Sequence, residues 1–216
     1  MAEKYNASNI ALEQILNYIK SGEIAIPEIQ RPFVWKPRQV RDLIDSLNTG
    51  YPTGYLIISQ SPNIKLKDGT LAEGKKIMID GQQRVTALMT AIMGMDIINA
   101  DFEKKRIKIA FNPLADPDND EERFKVQDNA ILKDKRWIAD IAVVFKPTFD
   151  MWQFVNDYCK ANKEITGSVL NKILMQLIDI KNRQIGVITL DKELTTDEVT
   201  EIFIRINSQG AKLNQA

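Results

Sequence analysis

The sequence of 216 residues contains no histidine, and this absence excludes several kinds of active site. Without an imidazole the chain can hold neither a Ser-His-Asp or Cys-His nucleophile system nor a histidine zinc site. A histidine-metal nuclease centre is excluded for the same reason, so we do not assign DNA cleavage to these residues. The remaining chemistry uses carboxylates, amides, arginine and hard metal ions.

Cysteine, net charge and long apolar runs are also scarce. Cys159 is the single cysteine, so no disulfide can form within the chain and ordinary packing is its expected role. Basic and acidic residues number 29 each, so no overall positive field is present to hold nucleic acid, and any DNA contact has to be local or supplied by another segment. Apolar runs such as IAVVF at 141–145 are too short to span a bilayer, and the amino terminus lacks the apolar core of a signal peptide. We therefore expect a cytoplasmic protein without a membrane partner.

Apolar residues recur at helical spacing in several segments. The spacing predicts four helices, with apolar positions within Leu12–Ile19, Val40–Leu47, Val85–Ile92 and Val199–Ile206. Two more helices are expected at about 149–161 and 167–182, and β-rich runs lie at 23–27, 54–60, 75–80, 106–112, 123–127 and 184–190. Because strands and helices are interspersed without strict alternation, we predict an α+β fold with helices packed on a mixed β-sheet.

Local signals mark some of the boundaries. Pro37 and Gly50 are placed to begin and end the second helix, and Thr195 with Glu198 has the pattern of a capping box. The segment 112–122 carries two prolines and five carboxylates. Its spacing does not match an EF-hand, so a solvated acidic loop is expected there in preference to a calcium site.

The stretch KKIMIDGQQRVTALMTAIM, from Lys75 to Met93, indicates a buried strand, a polar turn and a helix. Capping explains part of the turn if Asp80 is the N-cap and Gln83, as the third helical residue, reaches back to its N–H. Gly81 would then be unremarkable. In this scaffold interpretation, Asp80→Ala lowers stability by about 0.5–2 kcal/mol and changes no binding event.

Arg84 and Gln82 are not explained by capping. An arginine in the first turn faces the positive end of the helix dipole, which costs roughly 0.3–1 kcal/mol unless an anion is bound. Helical side chains lean toward the amino terminus, so Arg84 would project over a turn whose free N–H groups point outward. These residues favour a phosphate or nucleotide site, with Asp80 contacting Mg²⁺ directly or through water. No P-loop pattern occurs in the sequence.

Two further clusters hold polar residues in unusual surroundings. In IPEIQRPFVW, prolines stiffen the segment that carries Gln30 and Arg31, and the planar fork of an arginine suits phosphate. In FIRINSQGAKL, a helix that ends at Gly210 explains most of the pattern. Asn207 would approach a ligand if this helix end lies beside the other two clusters.

Taken in order, IPEIQRPFVW, IDGQQRVTAL and IFIRINSQGAKL resemble the three signature stretches of the GmrSD-type amino-terminal domain. This family belongs to the ParB and sulfiredoxin-like group, and its hallmark is the D-G-Q-Q-R box. The resemblance runs from Ile10 to about Leu213. It implies a ParB/sulfiredoxin-like fold in a single domain over residues 1–216. Relatives usually continue into further domains, so we expect this chain to be a fragment of a longer protein.

The resemblance also implies a function in restriction systems that sense modified DNA and defend bacteria against phage. Several relatives bind or hydrolyse nucleoside triphosphates through the box. On this analogy the nucleotide-phosphate and magnesium site comprises Asp80, Gly81, Gln82, Gln83 and Arg84. Gln30 and Arg31 would line the same pocket, and Asn207 with Gly210 would close it.

Two functional hypotheses follow. In the first, the chain is a regulatory domain that binds and hydrolyses a nucleoside triphosphate. Arg31 and Arg84 neutralise phosphate charge, Asp80 holds Mg²⁺, and Gln82 or Gln83 orients the attacking water.

The alternative is a non-enzymatic DNA-recognition module, in which the same arginines meet backbone phosphates or a modified base. DNA would then bind this chain or a carboxyl-terminal domain outside it, with an affinity that falls steeply with salt. The basic runs FEKKRIKI and LKDKRW are expected to be solvated faces more than DNA-binding patches.

Overall fold

The computed structural model describes residues 4–26, 32–60, 75–99, 101–119 and 121–210, with only the backbone described at 117, 196 and 206–210. The chain divides into two compact units. The first unit comprises Met1–Gln30, Gly54–Gln82 and Gln184–Ala216, and the second comprises Arg31–Thr53 and Gln83–Arg183.

Helices and strands are both abundant in the described residues, as predicted. The helices are α1 (Leu12–Ser21), α2 (Pro37–Thr49), α3 (Gln82–Ala91), α4 (Met151–Ala161), α5 (Gly167–Ile178) and α6 (Thr196–Gly210). The strands are β1 (Tyr5–Ala11), β2 (Ile24–Ala25), β3 (Leu56–Ser59), β4 (Lys76–Asp80), β5 (Ile97–Ile98), β6 (Lys104–Lys105), β7 (Ile109–Phe111), β8 (Phe124–Val126) and β9 (Gln184–Leu190). Within the described ranges, no helix is long and apolar enough to cross a membrane.

The first unit is built on a mixed five-stranded sheet in the order β1-β9-β3-β4-β2. β3 is parallel to β9 and antiparallel to β4, and β2 is parallel to β4. The sequence LIIS of β3 is buried along its whole length, which suits a strand covered on both faces. The predicted mixed sheet is therefore confirmed, with β9, β3 and β4 as inner strands.

Strand β1 was not predicted from the sequence. Its residues YNASNIA are mostly polar and exposed, yet all seven pair antiparallel with β9, from Tyr5 opposite Leu190 to Ala11 opposite Gln184. An edge strand is held by backbone hydrogen bonds on one side and buries little surface, so it leaves no apolar pattern to detect.

Helix α6 packs one apolar face on this sheet. Its residue Val199 joins a buried cluster with Ile57, Leu190 and Leu194, against which Ile79, Ile188 and Ile202 also pack. The predicted capping box is confirmed at its start: the Thr195 backbone N–H donates to Glu198 Oε2 over 3.0 Å, and the Glu198 N–H donates to Thr195 Oγ1 over 3.3 Å. Burying each aliphatic side chain stabilises the fold by roughly 1.5–3 kcal/mol.

The second unit combines helices α2, α4 and α5 and nearly all of α3 with two short hairpins. The buried face of α2 consists of Val40, Leu43, Ile44 and Leu47, and the helix ends at Gly50, as predicted. The β7–β8 hairpin places the Phe111 and Phe124 rings 5.0 Å apart in the core. The acidic segment 112–122 connects these two strands, and the Asp116 carboxylate orders it by accepting from the Asp118 N–H and the Asn119 amide.

Candidate functional site

The polar turn lies between the carboxyl end of β4 and the start of α3. Gly81 is buried and has φ +97°, in the region that favours glycine because a Cβ there is strained. The expectation that Gly81 is unremarkable was therefore wrong, since the backbone of the turn requires it. A β-bulge in the β3–β4 pairing falls between Ile57 and Ile58, and Ile57 lies opposite Asp80. Bulges of this kind reorient side chains and are common beside functional sites.

The predicted capping box at this turn was wrong. Helix α3 begins at Gln82, one residue later than an Asp80 N-cap requires, so Gln83 is the second helical residue. The Gln83 side chain is directed elsewhere: its Oε1 accepts from the Val34 backbone N–H over 2.9 Å, and its Nε2 donates to the Pro32 carbonyl over 3.3 Å.

These two hydrogen bonds attach the end of the IPEIQRPFVW stretch to the start of α3. Phe33 is buried, and its backbone N–H donates to the Ile98 carbonyl over 3.0 Å. The segment 32–34 is thus held at Pro32 and Val34 by the Gln83 side chain and at Phe33 by a backbone hydrogen bond. Gln30 and Arg31 lie outside the described residues, although Arg31 directly precedes Pro32 in the chain.

Arg84 lies in the first turn of α3, as predicted, and is half-buried. Its Nη1 donates to the Thr53 carbonyl over 2.8 Å. No local pattern indicates this anchor, because Thr53 is 31 residues away. The bond fixes the direction of the guanidinium and offsets part of the cost of placing a cation at a helix amino terminus.

Asp80 and Gln82 are also half-buried. The Gln82 Nε2 donates to the Met78 carbonyl over 3.2 Å, which ties the side chain back to the end of β4. Within the described part of the chain, no hydrogen bond to the Gln82 Oε1 is present. That oxygen can accept a hydrogen bond from water or a ligand.

The third stretch lies at the end of α6, which is helical through Gly210. Asn207 and Gly210 are therefore in its last turns, and the described geometry there is that of the backbone alone. Arg205 is exposed and forms an ion pair with Glu201 one turn earlier.

The second unit contains a charged cleft of about 1100 Å³ that the sequence did not reveal. Its lining includes the basic residues Arg41, Arg123, Lys172 and Arg183 and the acidic residues Asp42, Asp45, Glu121, Glu122 and Asp179. Arg41 pairs with Asp42 and Glu122, and Arg183 Nη2 donates to the Asn48 carbonyl over 3.1 Å at the end of α2. Burial raises the pKa of Asp45. The residues come from segments far apart in the chain, so no local pattern announces the cleft, and its charges nearly balance.

The two basic runs are partly neutralised by nearby carboxylates. Arg106 forms a half-buried ion pair with Asp140 over 2.6 Å, and Arg136 pairs with Asp134 over 2.7 Å. The Asp134 side chain therefore has a lowered pKa, caused first by its hydrogen bond from Arg136. Each run thus has its arginine paired with a carboxylate, which weakens the case for a DNA patch centred on these arginines.

Together the sheet and the turn define a class: an α+β protein with a glycine-dependent strand-to-helix turn and an anchored arginine in the first helical turn. The model of the family described as the GmrSD restriction endonuclease, N-terminal domain, matches residues 12–216, and the chain belongs to this family. The chain is also similar to an uncharacterized protein, MJ0686, of Methanocaldococcus jannaschii. The two are 25% identical over 243 aligned positions, which cover 94% of this chain and 40% of that protein. The chain thus spans less than half the length of this curated relative.

Proposed function

We propose that this chain is a nucleotide-binding, triphosphate-hydrolysing regulatory domain of a bacterial DNA restriction or anti-phage defence protein. Residues 80–84 are its D-G-Q-Q-R box, in a ParB/sulfiredoxin-like domain that is one part of a longer protein. The observation that carries the proposal is a pair of hydrogen bonds: the Gln83 amide donates to the Pro32 carbonyl and accepts from the Val34 N–H. They join two of the three signature stretches, as a shared ligand site requires. Membership of the restriction endonuclease family supports the same conclusion.

Phosphate recognition is assigned to Arg84 and to the backbone N–H groups at the start of α3. A helix amino terminus favours anions, and a guanidinium that is already oriented by the Thr53 carbonyl loses little freedom when it binds one. Arg31 and Gln30 are proposed to contact the nucleotide as well, since the adjacent Pro32 is fixed to the helix. Asn207 and Gly210 complete the proposed nucleotide ligands.

Mg²⁺ is proposed to bind at Asp80 together with the nucleotide. Within the described residues, no group of three or more carboxylate, cysteine or histidine side chains is arranged to hold a metal ion. One half-buried carboxylate suits Mg²⁺ only when phosphate oxygens and water supply the other ligands, which is its usual mode in nucleotide sites. The donor set thus fits a metal that arrives with the nucleotide and does not fit a resident ion.

Orientation of the attacking water is assigned to Gln82. Its amide nitrogen is held by the Met78 carbonyl, and its Oε1 is left to accept from a water molecule. Gln83 is less suited to this role because both ends of its amide are used on Pro32 and Val34. We therefore assign Gln83 to positioning. Charge neutralisation and positioning are the main contributions that a protein makes to phosphoryl transfer. Here Arg84 supplies the first and Gln82 the second.

The test is calorimetric titration of the 216-residue chain with nucleoside triphosphates and Mg²⁺, followed by measurement of phosphate release. Arg84→Ala should weaken binding by about tenfold or more, since a charge-assisted contact to phosphate contributes about 1.5–3 kcal/mol. Arg38→Ala is the matched control, because Arg38 is an exposed arginine in the first turn of α2. Thermal unfolding of both variants separates lost binding from lost folding. Absence of binding, or an unchanged affinity in a folded Arg84→Ala protein, refutes the proposal.

A second candidate is non-enzymatic recognition of modified DNA, which the restriction endonuclease family favours. Lys104 and Lys105 on β6 are exposed and available to phosphates, although Lys104 also approaches Asp96. Gel-shift series with plain and modified duplexes at increasing salt test this candidate. Retention that needs no nucleotide and falls steeply with salt supports it. Absent or salt-insensitive retention contradicts it.

A further inference from the structure

A groove of about 620 Å³ in the second unit is lined by none of the residues of the polar turn. Four aromatic residues contribute to its lining: Trp137, Phe149, Phe154 and Tyr158. We name it the aromatic groove. Trp137, Phe149 and Phe154 are half-buried, so each keeps part of its ring surface accessible. Accessible aromatic surface concentrated in one concavity is a feature of binding sites for organic ligands.

Three of the rings form a row. The centroids of Phe149 and Phe154 are 5.2 Å apart, and those of Phe154 and Tyr158 are 6.1 Å apart with the rings stacked. Phe154 and Tyr158 are four residues apart on α4, which places them on one helix face. The Tyr158 hydroxyl donates to the Arg136 carbonyl over 2.6 Å and fixes the end of the row. The rings are thus arranged before any ligand binds.

Carboxylates complete the lining. Asp140 is neutralised by its ion pair with Arg106, which leaves Asp150 and Asp157. These two are separated by seven positions at and after the start of α4, a rise of about 10 Å. The pKa of Asp157 is lowered, first by the hydrogen bond from Gln153 and then by Lys160, so this carboxylate is ionised at neutral pH. Lys160 is an exposed partner and competes only weakly with an incoming cation.

The aromatic rings and the carboxylates of the groove both favour a positively charged ligand. The faces of aromatic rings attract cations, and the Trp137 ring already has one such contact, because the ammonium of Lys125, a residue outside the groove lining, lies 5.5 Å from its centre. Among the described lining residues Lys146 is the one basic side chain, against Asp150, Asp157 and the ion-paired Asp140. An anion is repelled by this surface, and a neutral apolar ligand leaves the carboxylates unused.

We propose that the aromatic groove binds an aliphatic polyammonium cation, with its chain and internal ammonium group along the row of rings and its terminal ammonium groups at Asp150 and Asp157. The spacing of the two carboxylates suits a chain of about 10 Å between terminal charges. This inference does not depend on the proposed nucleotide site, because the two sites share no residue.

The test is titration of the isotopically labelled 216-residue chain with spermidine at low salt, observed by NMR. We expect saturable shifts of the Trp137 indole resonance, assigned by its loss in Trp137→Phe, and of the amides around Phe154. Phe154→Leu should weaken binding about two- to fivefold, the range for a cation–π contact near the surface. Asp157→Asn should weaken it as well, and added salt should reduce the affinity. Asp101→Asn, at an exposed carboxylate outside the groove, is the matched control and should bind like the native chain.

Several results would overturn the proposal. One is the absence of saturable shifts at the groove. A second is unchanged affinity in both Phe154→Leu and Asp157→Asn. A third is equal weakening in Asp101→Asn, which indicates general surface attraction. Equal binding of 1,8-octanediol, a neutral chain of similar length, shows that charge is not recognised and also rejects the idea.

Discussion

Replacement of Gln83 by leucine tests the contact on which the proposed site depends. The substitution keeps the size of the side chain and removes the hydrogen bonds of 2.9 Å to Val34 and 3.3 Å to Pro32. A protein hydrogen bond contributes about 0.5–1.5 kcal/mol net, and the longer bond lies at the weak end. Val34 is 54% exposed, so water can replace the lost partner of its N–H and limit the cost. We expect a loss of about 1 kcal/mol in total, which for a chain of this size lowers the unfolding temperature by roughly 2–4 °C.

Amide hydrogen exchange is the most direct assay, because the bond protects the Val34 N–H itself. We expect the Val34 N–H to exchange faster in Gln83→Leu than in the native chain. We also expect weaker nucleotide binding, because the segment beside Arg31 is then no longer held. Gln39→Leu is the matched control: the Gln39 Oε1 accepts from the Lys36 N–H at the start of α2, so its loss should leave Val34 unchanged. If Val34 exchanges at the native rate in Gln83→Leu, the contact does not hold this segment and the reasoning fails.

Two further predictions concern the first unit. The pKa of Glu198 is lowered to about 2, mainly by the Lys4 ammonium and then by the Thr195 N–H, from an ordinary value of 4.5. Because the folded-state pKa is the lower one, the contribution of this group is present above about pH 4.5 and is lost as the pH falls toward 2. Glu198→Gln should therefore unfold at a lower temperature than the native chain at pH 7, and the two unfolding temperatures should converge near pH 2, whereas a constant difference contradicts the assignment. At Gly186 in β9, an added Cβ would lie 2.6 Å from the Tyr55 ring, so Gly186→Ala should cost about 1–3 kcal/mol in urea unfolding. Adding Tyr55→Ala should recover part of that loss, and a purely additive double variant argues against the collision.

Much of the helical structure was predictable because its causes are local. The apolar spacing of α1 and α2, the glycine that ends α2 and the capping box of α6 each depend on residues within a few positions of one another. Strand β9 was predicted with its observed bounds from a β-rich run. Strands β5 and β6 were missed because two-residue strands carry no periodicity.

The turn at residues 80–84 shows the limit of local inference. The sequence placed an arginine in the first turn of a helix after a buried strand, and the structure agrees. It also suggested a capping box between Asp80 and Gln83, which fails because the glutamine amide finds backbone partners 49 and 51 residues away. A glutamine side chain can form hydrogen bonds equally well with near and with distant groups. Its partner therefore depends on which groups the fold places beside it.

By itself, then, the sequence determined the helices and several of the strands, the mixed α+β class and the identity of the polar turn, because helix periodicity, caps and strand propensity act over a few residues. Tertiary structure alone decided what those polar residues touch. Thr53 anchors Arg84, and Gln83 holds Pro32 and Val34. The row of rings from Phe149 to Tyr158 lines one groove with Trp137. These contacts join parts of the chain that are distant in sequence or that carry no local signature. Their partners are set by packing, which no short stretch of sequence specifies.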